Sequence, residues 1–354
     1  MKKITLLLFI GLLACKQTTP QNAKENKTSE ETMLITKDIS EQEINSENMV
    51  EAISAKVKRY DAEPLYYLRI GKANCMIEIL VNDMPVYQSY ELSNLASPLE
   101  INHKILKSGN QTVTVRMYPV GDLIKEDYDY GETITQLGDA SNVRIKVIRL
   151  DKQGAMGLRD EEEILDHQSP TKDADGEVFA GTGLPFYEYT FEFFATVPYD
   201  LSEDSWGNAA DLRTVDQDVL EQKMLDYYKT FLKEYKKGNE DFIAQQYFQS
   251  FYVQAQAYYK SKEEIQEMWD EELETINDPT VKPQPVKDYE LVFYAQGGIA
   301  FLRLKTKDDL YYRNNCAGYI ETTEDGIQYE IFFGLYLYAP KKGFNKKDFR
   351  LIMA

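Results

Sequence analysis

Strict alternation of apolar and polar residues marks the first half of this chain. Val113, Val115 and Met117 interleave with Thr112, Thr114 and Arg116, and Val143, Ile145 and Val147 interleave with Arg144 and Lys146. From 186 to 197, Tyr187, Tyr189, Phe191 and Phe193 alternate with Glu188, Thr190 and Glu192. A period of two turns one set of side chains into a core and the other into water, so each run predicts a strand with one buried face. Residues 65–70 and 76–81 are rich in β-branched and aromatic side chains and read as two more strands, with Gly71-Lys72-Ala73-Asn74 between them. Asn82-Asp83 is a turn signal, and Ser108-Gly109-Asn110 punctuates the next pair. Ahead of Leu65 the pattern stays open: 45–53 suits the start of a short helix, and 53–58 suits a first strand equally well.

Near Leu201 the pattern changes. Ser202-Glu203-Asp204-Ser205-Trp206-Gly207-Asn208 reads as a polar linker. Three stripes at helical spacing follow. The first, over 216–237, carries Leu220, Met224, Tyr227, Phe231 and Tyr235, and Gly238-Asn239 stops it. The second, over 240–260, carries Ile243, Tyr247, Phe251, Ala255 and Tyr258. The third starts at Ser261 with Glu264 placed for a capping box, carries Ile265, Trp269, Leu273 and Ile276, and ends before Pro279. Strands resume at 289–295 and 299–304 around Gln296-Gly297-Gly298, then at 329–338 and 349–353. The expected fold is mainly β plus α+β. An antiparallel β-sandwich occupies 46–200, a linker 201–213, and a three-helix domain with its own antiparallel sheet 214–354. The stretches 81–83 and 106–113 resemble loops of immunoglobulin-like or jelly-roll domains, a likeness that implies architecture and no activity.

The first residues have another logic. Lys2 and Lys3 precede an apolar run from Ile4 to Leu13, about half the roughly 20 residues a spanning helix needs. The run closes on Leu12-Leu13-Ala14-Cys15. That tetrapeptide resembles the lipobox of bacterial lipoprotein signal peptides. The resemblance implies cleavage after residue 14, acylation of Cys15, and a cell-envelope protein whose membrane contact is the lipid, with the outer membrane facing the periplasm as the expected place. Residues 15–45 are polar with few apolar positions and read as a flexible tether.

Composition narrows the function classes. A formal net charge of −19 repels phosphate backbones, so no nucleic-acid partner is expected; most acidic surfaces are simply solvated, and the alternative is one that attracts a cationic protein partner. Charged residues are 28% against 43% hydrophobic, enough apolar material for a real core. Two histidines, His103 and His167, stand apart at a strand edge and in a polar loop, which gives no zinc set or serine triad. Cys75 and Cys316 fall in separate apolar segments and read as two buried thiols, with a disulfide as the alternative. Asp173-Ala174-Asp175-Gly176-Glu177 and 126–132 are acidic loops. The first misses the calcium-loop spacing, because glycine is fourth and Leu184 stands where the twelfth ligand belongs. No cofactor and no metal are expected.

The remaining signal is aromatic: 26 tyrosines and 16 phenylalanines, with doublets at 66–67, 227–228, 251–252, 258–259 and 311–312. Core packing accounts for most such rings. The alternative is a recognition surface built from Tyr228, Tyr252, Tyr259, Tyr311 and Tyr312, with Arg303 and Arg313 for polar specificity. The function expected is a lipid-anchored, non-catalytic binding module, in one version an immunity-type protein that blocks a basic toxin. The alternative is a carboxylate-based hydrolase or carbohydrate-processing enzyme, which needs two carboxyls roughly 5–10 Å apart across a cleft. The anchor is directly testable. Metabolic labelling with a fatty acid should mark the wild-type chain and leave Cys15→Ala unlabelled; a labelled mutant would sink the assignment.

Overall fold

A computed structural model describes residues 44–154, 157, 159–172, 178–306 and 309–354. The lipobox with Cys15, nearly all of the tether, and the acidic loop 173–177 lie outside the described residues. Among the described residues the fold is mixed α and β, with five α-helices and four sheets, every strand pairing antiparallel.

The first sheet joins β1 (Pro64–Ala73), β4 (Leu99–Glu100), β6 (Asn142–Asp151) and β7 (Glu162–Gln168) in the order β4-β1-β6-β7. The second joins β2 (Met76–Val81), β3 (Met84–Ser89), β5 (Lys107–Tyr118) and β8 (Tyr187–Asp200) in the order β3-β2-β5-β8. Along β8 the alternation is complete: Tyr189, Phe191, Phe193, Ala195, Val197 and Tyr199 are buried, and the residues between them are exposed. Asn82 and Asp83 both take positive φ, 52° and 63°, which makes the tight β2–β3 connection that matches strand twist. Side chains of the two sheets meet. The rings of Tyr66 and Phe193 lie 6.0 Å apart, and His167 stacks on Phe191 at 4.1 Å.

Several expectations are corrected. Ser108-Gly109-Asn110 does not end a strand, because β5 runs through it. The register shifts between Lys107 and Gly109 as at a bulge, and Ser108 Oγ donates to Val197 O (2.8 Å) and accepts from Val197 N (2.9 Å), mending the ladder. His167 belongs to β7, and His103 sits in a 3-10 turn over Asn102–Lys104. The open segment before Leu65 forms α1 (Met49–Lys56), and α2 (Leu123–Tyr128) takes the start of the acidic stretch 126–132, expected as a loop.

The helices α3 (Gln217–Lys236), α4 (Glu240–Ala257) and α5 (Lys262–Ile276) follow their stripes. Asp216 caps α3, and Ser261 with Glu264 forms the capping box of α5. The third sheet has the order β10-β11-β14-β15, from Tyr289–Tyr294, Ile299–Leu304, Leu337–Tyr338 and Ile352–Met353. The fourth has the order β13-β12-β9, from Ile327–Phe332, Tyr319–Glu324 and Lys282–Pro283. The expected single strand over 329–338 is thus split between two sheets. Phe333 leaves the strand to pack edge-on against Phe231 (5.1 Å) and Tyr235 (4.8 Å) of α3, which diverts the chain toward the helices.

The two halves share one buried core that runs from Ile44 to Met353. α1 packs on α4 and α5, with Lys58 N donating to Gln256 Oε1 (2.7 Å) and Gln256 Nε2 to Lys58 O (3.0 Å). In the segment 201–213, expected as a linker, Leu201, Ser205, Trp206 and Leu212 are buried. Lys152, at the end of β6, donates to the carbonyls of Tyr258 (3.2 Å) and Tyr259 (3.1 Å) and to Glu264 (2.8 Å), gripping the α4–α5 corner.

At the centre of this junction is Asn102, fully buried. Its Oδ1 accepts from Tyr66 N (2.6 Å), and its Nδ2 donates to Pro64 O (2.9 Å) and Ala257 O (2.9 Å). One amide therefore serves two backbone groups of β1 and a carbonyl at the end of α4. Exposed Asn94 makes a similar pair of bonds to Lys72, N at 2.7 Å and O at 3.1 Å. Water can replace Asn94 and cannot reach Asn102. Asn102→Ala should cost on the order of 3 kcal/mol and Asn94→Ala less than ~1 kcal/mol in urea unfolding; equal costs would refute the role given to Asn102.

Candidate functional site

The candidate residues divide by depth. Tyr228 and Tyr259 are fully buried and Tyr252 nearly so, which removes them from any surface. Tyr228 faces the core of α3, where its hydroxyl donates to Leu335 O (2.7 Å) and accepts from Leu302 N (3.1 Å). The other ring of that doublet, Tyr227, is only partly buried, so the stripe and its neighbour exchange the places the sequence suggested. Tyr259 takes φ 48°, left-handed, at the α4–α5 corner, and Lys56 Nζ lies 4.1 Å from the centre of the Tyr252 ring.

Arg303, Tyr311, Tyr312 and Arg313 come together around the stretch 309–319, which pairs with the end of β11 through Leu304 N to Asn315 O (2.9 Å) and Ala317 N to Leu302 O (2.9 Å). Arg313 is the anchor. Its guanidinium lies 4.1 Å from the centre of the Tyr118 ring and 4.9 Å from that of Tyr90, with Nη2 3.8 Å from Glu78 Oε1. Glu78, on β2, is almost fully buried, also accepts from Tyr90 OH (2.7 Å), and lies 3.7 Å from Arg116 Nη1. Burial and the Glu78 charge push the Tyr118 phenol up to about 12. Asn314 extends the network: its Nδ2 donates to Tyr90 OH (2.6 Å), and its Oδ1 accepts from Arg303 Nη1 (2.9 Å), while Arg303 also pairs with Glu290 at 2.7 Å. Arg303 and Arg313 are therefore committed to joining the second sheet to the third.

Behind that anchor the tyrosines form a cluster. Tyr311 and Tyr312 meet edge to face at 4.7 Å, Tyr319 stacks on Phe332 at 4.9 Å, and Tyr312 lies 6.0 Å from Phe332. Tyr312 and Tyr319 line a cleft of about 170 Å³ with Pro285, Lys287, Asp288, Leu304, Lys305 and Thr306. Lys287 and Asp288 precede β10 and Lys305 follows β11, so the paired strands bring them to one end of the hairpin, where Lys305 N donates to Asp288 O at 2.6 Å. Tyr312 OH donates to Glu330 Oε1 (3.0 Å). Glu330 is 6% exposed, and its Oε2 is buried without a hydrogen-bond partner. Neither Tyr319, Lys287, Lys305 nor Glu330 stood out in the sequence; they lie on different strands, and only sheet register makes them neighbours.

A second cleft, about 280 Å³, is lined by Arg69, Ile70, Gly71, Leu95, Ala96, Ser97, Arg144 and Lys146. Its cations are already answered: Arg69 by Glu161, Arg144 by Asp166, and Lys146 by Glu163 and Asp166. These pairs run across strands on one sheet face and neutralise one another. Neither cleft is lined by two carboxylates.

Cys75 and Cys316 are free and buried, and burial pushes each thiol up to about 11, as expected of two inert core residues. Burial lowers both histidines, with Lys104 adding to the effect at His103, whose Nδ1 lies 2.7 Å from Tyr258 OH. Among the described residues no group of three or more His, Cys, Asp or Glu could hold a metal ion, and no helix is long and apolar enough to cross a membrane. No family model, curated protein or solved structure matches this chain.

Arg313→Ala removes a ring-stacked cation and leaves buried Glu78 with Arg116 alone for charge. It should destabilise the fold by about 2 kcal/mol, with Arg313→Lys recovering only part of it, because an ammonium cannot stack as a planar guanidinium does. Chemical denaturation of the two variants checks this; a neutral Arg313→Ala would contradict the anchoring role.

Proposed function

We propose that this chain is a lipid-anchored envelope lipoprotein that acts as a non-catalytic binding module. Cys15 carries the acyl anchor in this reading, and residues 15–45 give the folded body reach from the bilayer. The first two sheets form the sandwich, immunoglobulin-like or jelly-roll-like, that serves as spacer; the ring contacts between Tyr66 and Phe193 and between His167 and Phe191 support facing sheets. The helical half carries the recognition site.

The observation that carries the proposal is the contrast between the two clefts. In the larger one every cation is paired within the protein. In the smaller one Lys287, Asp288 and Lys305 are exposed and form no ion pair among the described residues, beside Tyr312, whose hydroxyl is held by Glu330, and Tyr319, which stacks on Phe332. Fixed aromatic walls with uncommitted charges at the rim suit recognition, since a ligand then displaces water rather than breaking internal pairs. The volume, well below the roughly 300–1,000 Å³ of drug-sized pockets, suits one side chain or a small molecule. A net charge of −19 favours a basic protein as the larger partner, steering it toward the envelope surface.

A photoreactive residue at Lys305 tests the reading in living cells. Irradiation should give a discrete adduct that Tyr312→Ala abolishes, and a probe at exposed Glu192 on β8 should give none. Adducts equal at both positions, or indifferent to Tyr312→Ala, would refute the cleft as the binding site.

A further inference from the structure

One stretch runs against the acidic balance of the chain. Residues 341–350 read Lys-Lys-Gly-Phe-Asn-Lys-Lys-Asp-Phe-Arg, five cations against a single acid, Asp348, in a chain of net charge −19. The stretch lies between β14 and β15 and is built as two consecutive turns. Phe344 N donates to Lys341 O (3.2 Å), and Asp348 N donates to Asn345 O (3.1 Å). Its root is aromatic. The rings of Phe344 and Phe349 lie 5.6 Å apart and both pack on the core. Lys223 of α3 reaches over Phe349, with Nζ 5.0 Å from the ring centre and donating to Phe349 O (3.3 Å). At the other end Lys341 N donates to Asn208 O (2.9 Å). With the rings turned inward, Lys341, Lys342, Lys346 and Lys347 are all exposed, and none of the four forms an ion pair among the described residues. Asp211, the acid outside the stretch that Lys346 influences, is already paired with Arg213 at 2.8 Å. Four like charges are thus held close together with no internal answer, a local field that attracts an anionic surface.

The anchor decides which such surface is within reach. Taken as the tether that the sequence predicts, residues 15–43 span about 30 Å root mean square. The chain enters the body on α4, where Gln245 Nε2 donates to Ile44 O (3.0 Å). The strand β15, which follows the basic stretch, packs on the same helix. With 18 residues, α4 is about 27 Å long. Along that helix the entry point and the basic stretch are therefore no farther apart than the tether spans. The bilayer that holds Cys15 meets the four lysines at high effective concentration, whereas an acidic protein has to arrive by diffusion.

We propose that Lys341, Lys342, Lys346 and Lys347 form a membrane-facing patch that lays the helical half on the anionic phospholipid headgroups of the leaflet holding Cys15. This rests on the lipid-anchor reading. The acidic balance keeps the rest of the body off that surface, so the patch adds a second membrane contact and sets which side of the body faces it. Each lysine near such a surface is worth about a fivefold preference. Lysine footprinting of the full lipidated chain tests the patch. The chain is reconstituted through its anchor into vesicles of phosphatidylcholine, alone or mixed with phosphatidylglycerol, and acetylated with a neutral reagent. On the anionic vesicles the four lysines should react at least about fivefold more slowly than on the neutral ones. Lys287, which precedes β10 at the opposite edge of the third sheet from β15, should react equally on both. Salt at about 1 M shortens the screening length from about 10 Å to about 3 Å and should erase the difference. Equal rates for the four lysines on the two vesicles would overturn the lipid contact and leave them to an acidic protein. Equal slowing of Lys287 would overturn it as well, because no one side then faces the bilayer. A chain that floats with neither vesicle and takes no fatty-acid label has no anchor, and the patch falls with it.

Discussion

The fold turns on a single side-chain amide that no water can replace. Asn102 sits in a 3-10 turn between β4 and β5, fully buried, and serves backbone groups of β1 and the end of α4 at once. Backbone polar groups in a dry interior must find partners, and those at helix ends have none within their own helix. Through Asn102 the Ala257 carbonyl finds one in the β half of the molecule. Lys152 repeats the arrangement at the next two carbonyls, Tyr258 and Tyr259, and Glu264 completes it by serving both Lys152 and the cap of α5. The α4–α5 corner is thereby fixed to the first sheet, and the left-handed Tyr259 is held in a conformation that would otherwise be costly.

A second junction stands on the far side, where Glu78, Tyr90, Arg116 and Tyr118 receive Arg313 and Asn314. Its members are charged yet largely buried, which makes the joint directional: a guanidinium stacked between two rings accepts little rotation. That rigidity passes along the chain to Tyr312, the next residue, and so to the cleft it shares with Tyr319. Tyr312 is thus bonded in the chain to the anchored Arg313 and hydrogen-bonded through its hydroxyl to Glu330. Preorganisation of this kind lowers the entropy a ligand must overcome on binding.

Where local rules sufficed, the sequence was legible. Period-two alternation located β8 and β6, helical spacing located α3, α4 and α5, and the Ser261–Glu264 box was present as expected. Local rules failed where a tertiary contact overrode them. The run 329–338 looked continuous because every residue was compatible with a strand, yet Phe333 was drawn onto α3 and the chain changed sheets. Ser108-Gly109-Asn110 looked like a turn, and a side-chain bridge to Val197 absorbed it as a bulge. The apolar stripe placed Tyr227 on the buried face, and the third sheet instead took its neighbour Tyr228, whose hydroxyl bonds Leu335 O and Leu302 N.

By itself, the sequence determined the helices α3, α4 and α5, the alternating strands β5, β6 and β8, the acidic balance and the lipobox-like start, because each is encoded within a few residues along the chain. The tertiary structure decided which tyrosines are accessible, that α1 joins the helices beyond residue 217, and that Arg303 and Arg313 brace a junction. It also decided that Glu330 lies opposite Glu321 behind Tyr312, with one oxygen unanswered. Those outcomes depend on register between strands far apart in the chain, where a shift of one residue would turn every side chain to the other face.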